Sequence, residues 1–249
     1  MSLAALLLLQ EDRAEAGAAL ARRLRIDCIE AAALAGARGR RYREFVASHL
    51  GPPPCQLLEW GPDGLALVRI EPRQHLTVRA DFAAPAVDFR RRQGGRRSEG
   101  IARAVGLRAG QPLPVLDATA GLGGDAFVLA TLGCEVTLLE RVPVLQELLA
   151  DALLRAERAL HDILLVNLGL NVAYAGVGTA MVVAGYQEVN HARAWRGHGS
   201  ALIVQGLGLL VFDVIAFVAA RARLADGATL DIDFALIGIG IAPDTALAE

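Results

Sequence analysis

The sequence predicts an α/β chain in three parts: a small α+β region, a parallel βαβ unit too short for a complete sheet, and a hydrophobic helical hairpin. Three observations predict it. Residues 115–156 alternate strand, glycine loop, helix, strand and helix, the pattern of parallel sheets. A Pro-Asp-Gly turn separates two β-prone runs near residue 62. Residues 163–187 contain no Asp, Glu, Arg or Lys, and residues 197–220 contain only Asp213. The divisions fall at 1–80, 81–159 and 160–249, and 249 residues suffice for one sizeable α/β core or two small units.

The elements follow in order. Leu3–Leu9 is apolar, but a secretory leader wants a basic start and a longer core, and Glu11 and Asp12 follow at once. It reads as a first strand. Residues 13–50 read as helical, with Leu20, Leu24 and Cys28 at helical spacing and Arg38–Arg43 as a solvated face. Pro52-Pro53-Pro54 ends that stretch, because proline lacks the amide donor and fixes φ. Gln56–Trp60 and Leu65–Ile70 form a hairpin about Gly61-Pro62-Asp63-Gly64, whose glycine supplies positive φ, and His75–Phe82 continues the sheet. Arg90, Arg91, Arg92, Arg96 and Arg97 surround Gly94-Gly95, and a helix-like stretch runs on to Val105. The βαβ unit reads as strand Val115–Asp117, loop Ala118–Gly124, helix Asp125–Leu132, strand Glu135–Glu140 and helix Val144–Arg158.

Composition narrows the function. Mean hydropathy is +0.39 and the apolar excess is concentrated toward the C-terminus. The net charge of −2 divides into 21 Arg against 19 acids over residues 1–160 and 4 Arg against 8 acids over 161–249. A pI near 6.2 argues against a general nucleic-acid binder. Cys28, Cys55 and Cys134 show neither metal spacing nor even pairing, which predicts a reducing compartment. No metal is expected, since His161, His191 and His198 have only a polar loop to hold one.

The strongest motif is Leu116-Asp117-Ala118-Thr119-Ala120-Gly121-Leu122-Gly123-Gly124-Asp125. A strand ends in an acid, the chain turns on glycines that let a ligand approach the backbone, and a helix N-terminus adds amide donors. Glu140 ends the next strand, about where a carboxylate bonds a ribose diol. Gly121-x-Gly123-x-x-Ala126 also fits a dinucleotide fingerprint, and a tight βα turn without ligand is a third reading. The carboxylate at 117 favours S-adenosylmethionine: it suits the cofactor's ammonium and repels a pyrophosphate.

Several stretches resemble the ribosomal small subunit methyltransferase J family: Asp81-Phe82, Phe89–Gly95, Ala104–Leu107, Asp117–Val128 and Leu139–Pro143. The resemblance covers roughly the first 160 residues. It implies a class I methyltransferase variant of the Rossmann-like fold, S-adenosylmethionine as cofactor, and methylation of a guanine N2 in 16S rRNA, with the small ribosomal subunit as partner. It implies cofactor contacts at Asp117, Gly121, Gly123, Asp125 and Glu140, with Ala120 and Arg141 beside them. It also turns the Arg90–Arg92, Arg96 and Arg97 cluster from a solvated loop into a phosphate-binding one.

One part of the family pattern is missing. An exocyclic amine is a poor nucleophile, and the family handles it with an Asp-Pro-Met-aromatic-Pro segment whose oxygens accept the amine protons. The only proline after Pro143 is Pro243, between Ala242 and Asp244. Asp213, after the apolar run Leu210–Phe212, is the substitute candidate for a strand-end catalytic acid; its other reading is a polar residue inside a buried or membrane helix. Weak or absent turnover is therefore expected.

Residues 163–187 and 197–220 each suffice to cross a hydrocarbon core, with Gly176, Ala180 and Ala184 as a close-contact stripe. Buried strands are the competing reading. Arg155, Arg158, Arg221 and Arg223 outside the pair, against Arg193 and Arg196 between, place both termini in the cytoplasm. The pair loosely resembles small two-helix membrane proteins. The expected location is the cytoplasm; the alternative is association with the inner membrane, both termini cytoplasmic. The alternative function is a non-enzymatic, membrane-anchored or fused protein with a relict nucleotide-binding head.

Overall fold

The structure, a computed structural model, describes residues 3–37, 39–82, 100–108, 111, 113–187, 191–219, 223–224 and 230–231. Two compact units divide the chain between Arg155 and Ala156.

In the first unit, β1 (Ala5–Leu8) lies between β2 (Asp27–Glu30) and β3 (Cys55–Gly61), both parallel to it. Strands β4 (Gly64–Ile70) and β5 (His75–Val78) add on antiparallel, giving the order β2-β1-β3-β4-β5. The expected first strand, hairpin and third run are thus all present. The Leu6–Leu9 run is apolar throughout because both faces of the sheet are covered. Leu6 and Leu8 pack with Leu20 and Ala21 of α1 (Ala14–Leu24), and Leu7 and Leu9 with Tyr42 and Val46 of α2 (Arg40–Leu50). Each such leucine contributes about 1.5–3 kcal/mol of burial before its ordering entropy is counted.

Residues 13–50 are not continuously helical, contrary to expectation. Arg25 takes a left-handed φ of 56°, and its N–H returns to the carbonyls of Ala21 and Arg22, which stops α1. Asp27–Glu30 then pairs with β1 and sets Cys28 opposite Leu6, off the helical face of Leu20 and Leu24. An edge strand this exposed carries no alternation to betray it. Within the arginine run, Arg40, Arg41 and Arg43 are exposed, whereas Tyr42 is buried and hydrogen-bonds Glu59.

After α3 (Gly100–Ala104), β6 (Val115–Asp117) and β7 (Val136–Leu138) pair in parallel, with α4 (Gly124–Thr131) as the crossover that parallel pairing requires. Helix α5 (Pro143–Ala184) follows, and its first turns bury Leu148 and Ala152 against Leu58, Leu65 and Ala80. Asp151 on the same turns accepts the Leu65 N–H at 2.8 Å and the Arg155 Nε–H at 3.0 Å; Arg155 Nη2 donates to the Ala80 carbonyl at 2.8 Å. Gly64 makes room for this knot. Its φ is +92°, and an added Cβ would lie 2.3 Å from Arg155 Nε.

The second unit contains the rest of α5 and α6 (Ala192–Ala219). The helix expected to end at Arg158 runs unbroken to Ala184, since neither glycine nor proline occurs between Pro143 and Gly169 to stop it. The apolar runs are helices rather than buried strands. They are antiparallel and touch along glycines: an added Cβ would lie 2.6 Å from the Gly199 carbonyl oxygen at Gly178, and 2.8 Å from that of Asn171 at Gly206. The expected stripe is not the seam. A Cβ on Gly176 would meet nothing within 4 Å, and Ala180 is exposed.

Candidate cofactor site

Parallel pairing brings the C-terminal ends of β6 and β7 to one edge, and with them the two acids of the motif. Leu139 N–H donates to the Asp117 carbonyl at 2.8 Å, which extends the ladder to the point where both strands end. The Asp117 carboxylate remains half-exposed, with Oδ1 accepting the Thr119 N–H at 3.0 Å. That bond folds the chain back and starts the loop.

Glu140 anchors the other side of the loop. Its Oε2 accepts the Gly121 N–H at 2.8 Å and its Oε1 the Val142 N–H at 2.8 Å, while Gln146 Nε2 donates to its carbonyl. The Val142 and Gly121 amides hold the Glu140 carboxyl below its ordinary pKa of 4.5, so it is ionised at neutral pH. The Arg141 amide also bonds to the carboxylate, which as a four-site acceptor is not exhausted by three backbone N–H groups.

The two loop glycines differ in purpose. Gly121 has φ +54° and open space beside it, the nearest atom to an added Cβ being the Thr119 carbonyl oxygen at 3.8 Å. Its backbone is therefore uncovered on that side. Gly123 has φ +74° and is packed: an added Cβ would lie 2.7 Å from Leu149 Cδ1 and 3.2 Å from Phe82 Cε1. Phe82 in turn stacks on Phe127 with centroids 4.9 Å apart, which seats the N-terminus of α4. Asp125 is exposed in the first turn of α4, Arg141 is exposed after β7, and Ala120 is buried, its N–H donating to the Leu139 carbonyl at 3.1 Å.

The site therefore offers two acceptor-only carboxylates across a glycine backbone, at the carboxyl ends of parallel strands, where open α/β sheets bind ligands. Such a pair suits an ammonium and a sugar diol, and disfavours a pyrophosphate. The other sequence candidates lie elsewhere. Arg90, Arg91, Arg92, Arg96 and Arg97 fall outside the described residues. Asp213 is not at a strand end: it lies inside α6, 5% exposed, and accepts a hydrogen bond from Asn171 Nδ2 at 2.7 Å. No group of three metal-ligating side chains gathers among the described residues. Gln146 and Leu149, which brace the loop from α5, were not apparent from the sequence; their only signal is a place one to two turns after Pro143.

Comparison with known proteins decides the family. A family model described as "Putative SAM-dependent methyltransferase" matches residues 51–176, half of the chain. The chain belongs to this family. Its cofactor is S-adenosylmethionine. The chain is similar to the ribosomal RNA small subunit methyltransferases J of Tolumonas auensis, 54% identical over 41% of this chain and 41% of the relative, and of Pseudomonas aeruginosa, 37% identical over 72% and 62%. The Chromobacterium violaceum enzyme of the same name is 54% identical over 41% of this chain and 39% of its own length. A solved SAM-dependent methyltransferase from Neisseria gonorrhoeae is 30% identical, covers 61% of this chain and 52% of its own, and superposes with a TM-score of 0.38. The chain thus spans from about two fifths to three fifths of the length of the curated relatives it matches.

Proposed function

We propose that this chain binds S-adenosylmethionine between Asp117 and Glu140 and belongs to the chemistry of small-subunit rRNA methylation, its acceptor the exocyclic N2 of a guanine. The observation that carries the cofactor assignment is the Glu140 carboxylate, ionised and bonded to the Gly121 amide across an open loop. Asp117 accepts the ammonium, Glu140 accepts the ribose diol, and Ala120, Gly121 and Gly123 leave the loop backbone close to the ligand, flanked by Asp125 and Arg141. When bound, the cofactor supplies an electrophilic methyl group. Arg90, Arg91, Arg92, Arg96 and Arg97 meet RNA phosphates, their guanidinium forks matching phosphate oxygens. No Asp-Pro-Met-aromatic-Pro segment follows β7 in the sequence, so these residues bind cofactor but turn over weakly or not at all. Calorimetric titration of S-adenosylmethionine tests the reading: micromolar binding supports it, and no binding by a folded sample overturns it.

A second reading concerns location. We propose that the 81–159 part works at the cytoplasmic face of a membrane, held there by residues 163–187 and 197–220. The specific observation is a reversal of the usual burial: in this helical pair Asn171 and Asp213 are buried, whereas Val166, Val172, Val204, Val211 and Ile215 are each at least 59% exposed. A non-enzymatic anchored protein with a relict head shares this reading and is distinguished by its failure to bind the cofactor.

A further inference from the structure

We infer that α5 and α6 cross the bilayer as a preformed hairpin whose adjoining ends, at Tyr186 and at Trp195, lie among lipid headgroups on the opposite face from Arg155 and Arg158. The inference rests on the membrane reading above and adds the path of the chain through the lipid.

Length is the first argument. The uncharged part of α5, from Ile163 to Ala184, and α6 from Gly197 to Ala219 have 22 and 23 residues. At 1.5 Å per residue these are about 33–35 Å, against a hydrocarbon core of about 30 Å. A helix lying in the interface would show one polar face. These helices instead expose apolar side chains around their free circumference and bury 17% of each apolar stretch. His198, one residue into the α6 stretch at the turn end, and Ser200 and Gln205 are exposed polar exceptions, and the Thr179 hydroxyl donates to the Ala175 carbonyl of its own helix at 2.8 Å, as a hydroxyl in lipid must.

The seam is the second argument. Lipid supplies no hydrophobic drive for helix pairing, so membrane helices associate through close backbone approach and interhelical hydrogen bonds. Both occur here: Gly178 against Gly199, Gly206 against Asn171, and the Asn171–Asp213 bond at 2.7 Å. The pair enters lipid with Asn171 and Asp213 already turned inward.

The turn itself is the third. Tyr186 is 72% and Trp195 41% exposed, and Arg193 and Arg196 lie beside them, with the Arg196 guanidinium 5.1 Å over the Tyr186 ring. Amphipathic rings with arginines are what the headgroup layer retains. Arg155 and Arg158 precede the other end of the apolar stretch.

The test uses the full chain expressed in a bacterial host. Gln187, exposed in the turn, is changed to Cys, and a membrane-impermeant maleimide is applied to intact spheroplasts; exposed Cys28 is the internal control. Fractionation with a carbonate wash is run in parallel. The expected result is a chain in the washed membrane, labelled at position 187 from outside and at Cys28 only after permeabilisation. A membrane-bound chain whose position 187 labels only after permeabilisation overturns the transbilayer path and leaves the membrane reading standing. A chain in the soluble fraction overturns both.

Discussion

The Glu140 carboxylate accepts the Gly121 N–H at 2.8 Å, so the acid that ends one strand fixes the loop that leaves its neighbour. The loop is held in shape by the same group that would meet the ribose, and its two roles separate with pH. The amides of Val142 and Gly121 lower the carboxyl below 4.5. A carboxyl so lowered contributes stability that is fully present above its unfolded value and is lost as pH falls through its native value. Thermal melts of the protein and of Glu140→Gln should therefore differ most near neutral pH and converge in acid, once the pH has fallen below the ordinary glutamate range. A difference that is constant with pH would show that the charge does not contribute.

Asp117→Asn keeps an acceptor for the Thr119 N–H and removes the charge. Cofactor affinity should fall at least tenfold, about 1.4 kcal/mol, with little change in melting temperature. Calorimetry and a thermal melt on the same sample check it. A variant that binds as well as the parent would remove Asp117 from the ammonium site.

Gly64→Ala tests the knot beneath the cofactor half. The residue is held at φ +92°, and the new methyl would meet Arg155 Nε and Asp151 Oδ2. Left-handed strain alone costs about 1–3 kcal/mol, and the displaced ion pair adds to it. Denaturant unfolding should show a loss at or above that range.

These three positions also show what was legible in the sequence. The β3–β4 hairpin and the glycine loop are local: a turn chemistry and a strand-loop-helix spacing specify each within ten or so residues. Asp117 and Glu140 could be placed at one edge because β7 follows β6 by one crossover. Strand β2 was hidden because Asp-Cys-Ile-Glu at an exposed edge has no burial to impose a pattern. The seam of the helical pair was misplaced because small residues abound on both sides of α5, and only the position of α6 selects Gly178 over Gly176.

Asp213→Leu and Asn171→Leu each leave a polar partner buried without its bond, at a cost of about 1–3 kcal/mol. The double variant should recover part of that loss, because both polar groups are then gone. Unfolding in detergent across the four-member cycle measures the coupling; additive losses would mean that the pair does not interact energetically.

Leu65 and Asp151 are 86 residues apart in the chain, yet the N–H of one is bonded to the carboxylate of the other. During synthesis the β3–β4 hairpin leaves the ribosome long before its acceptor is made. Until residue 151 emerges, water must serve the Leu65 amide, and the face of the sheet that Leu148 and Ala152 later cover stays wet. The N-terminal strands are thus complete in pattern early and complete in structure late: the cofactor half supplies the lid of their core, and neither can finish folding before the other has arrived.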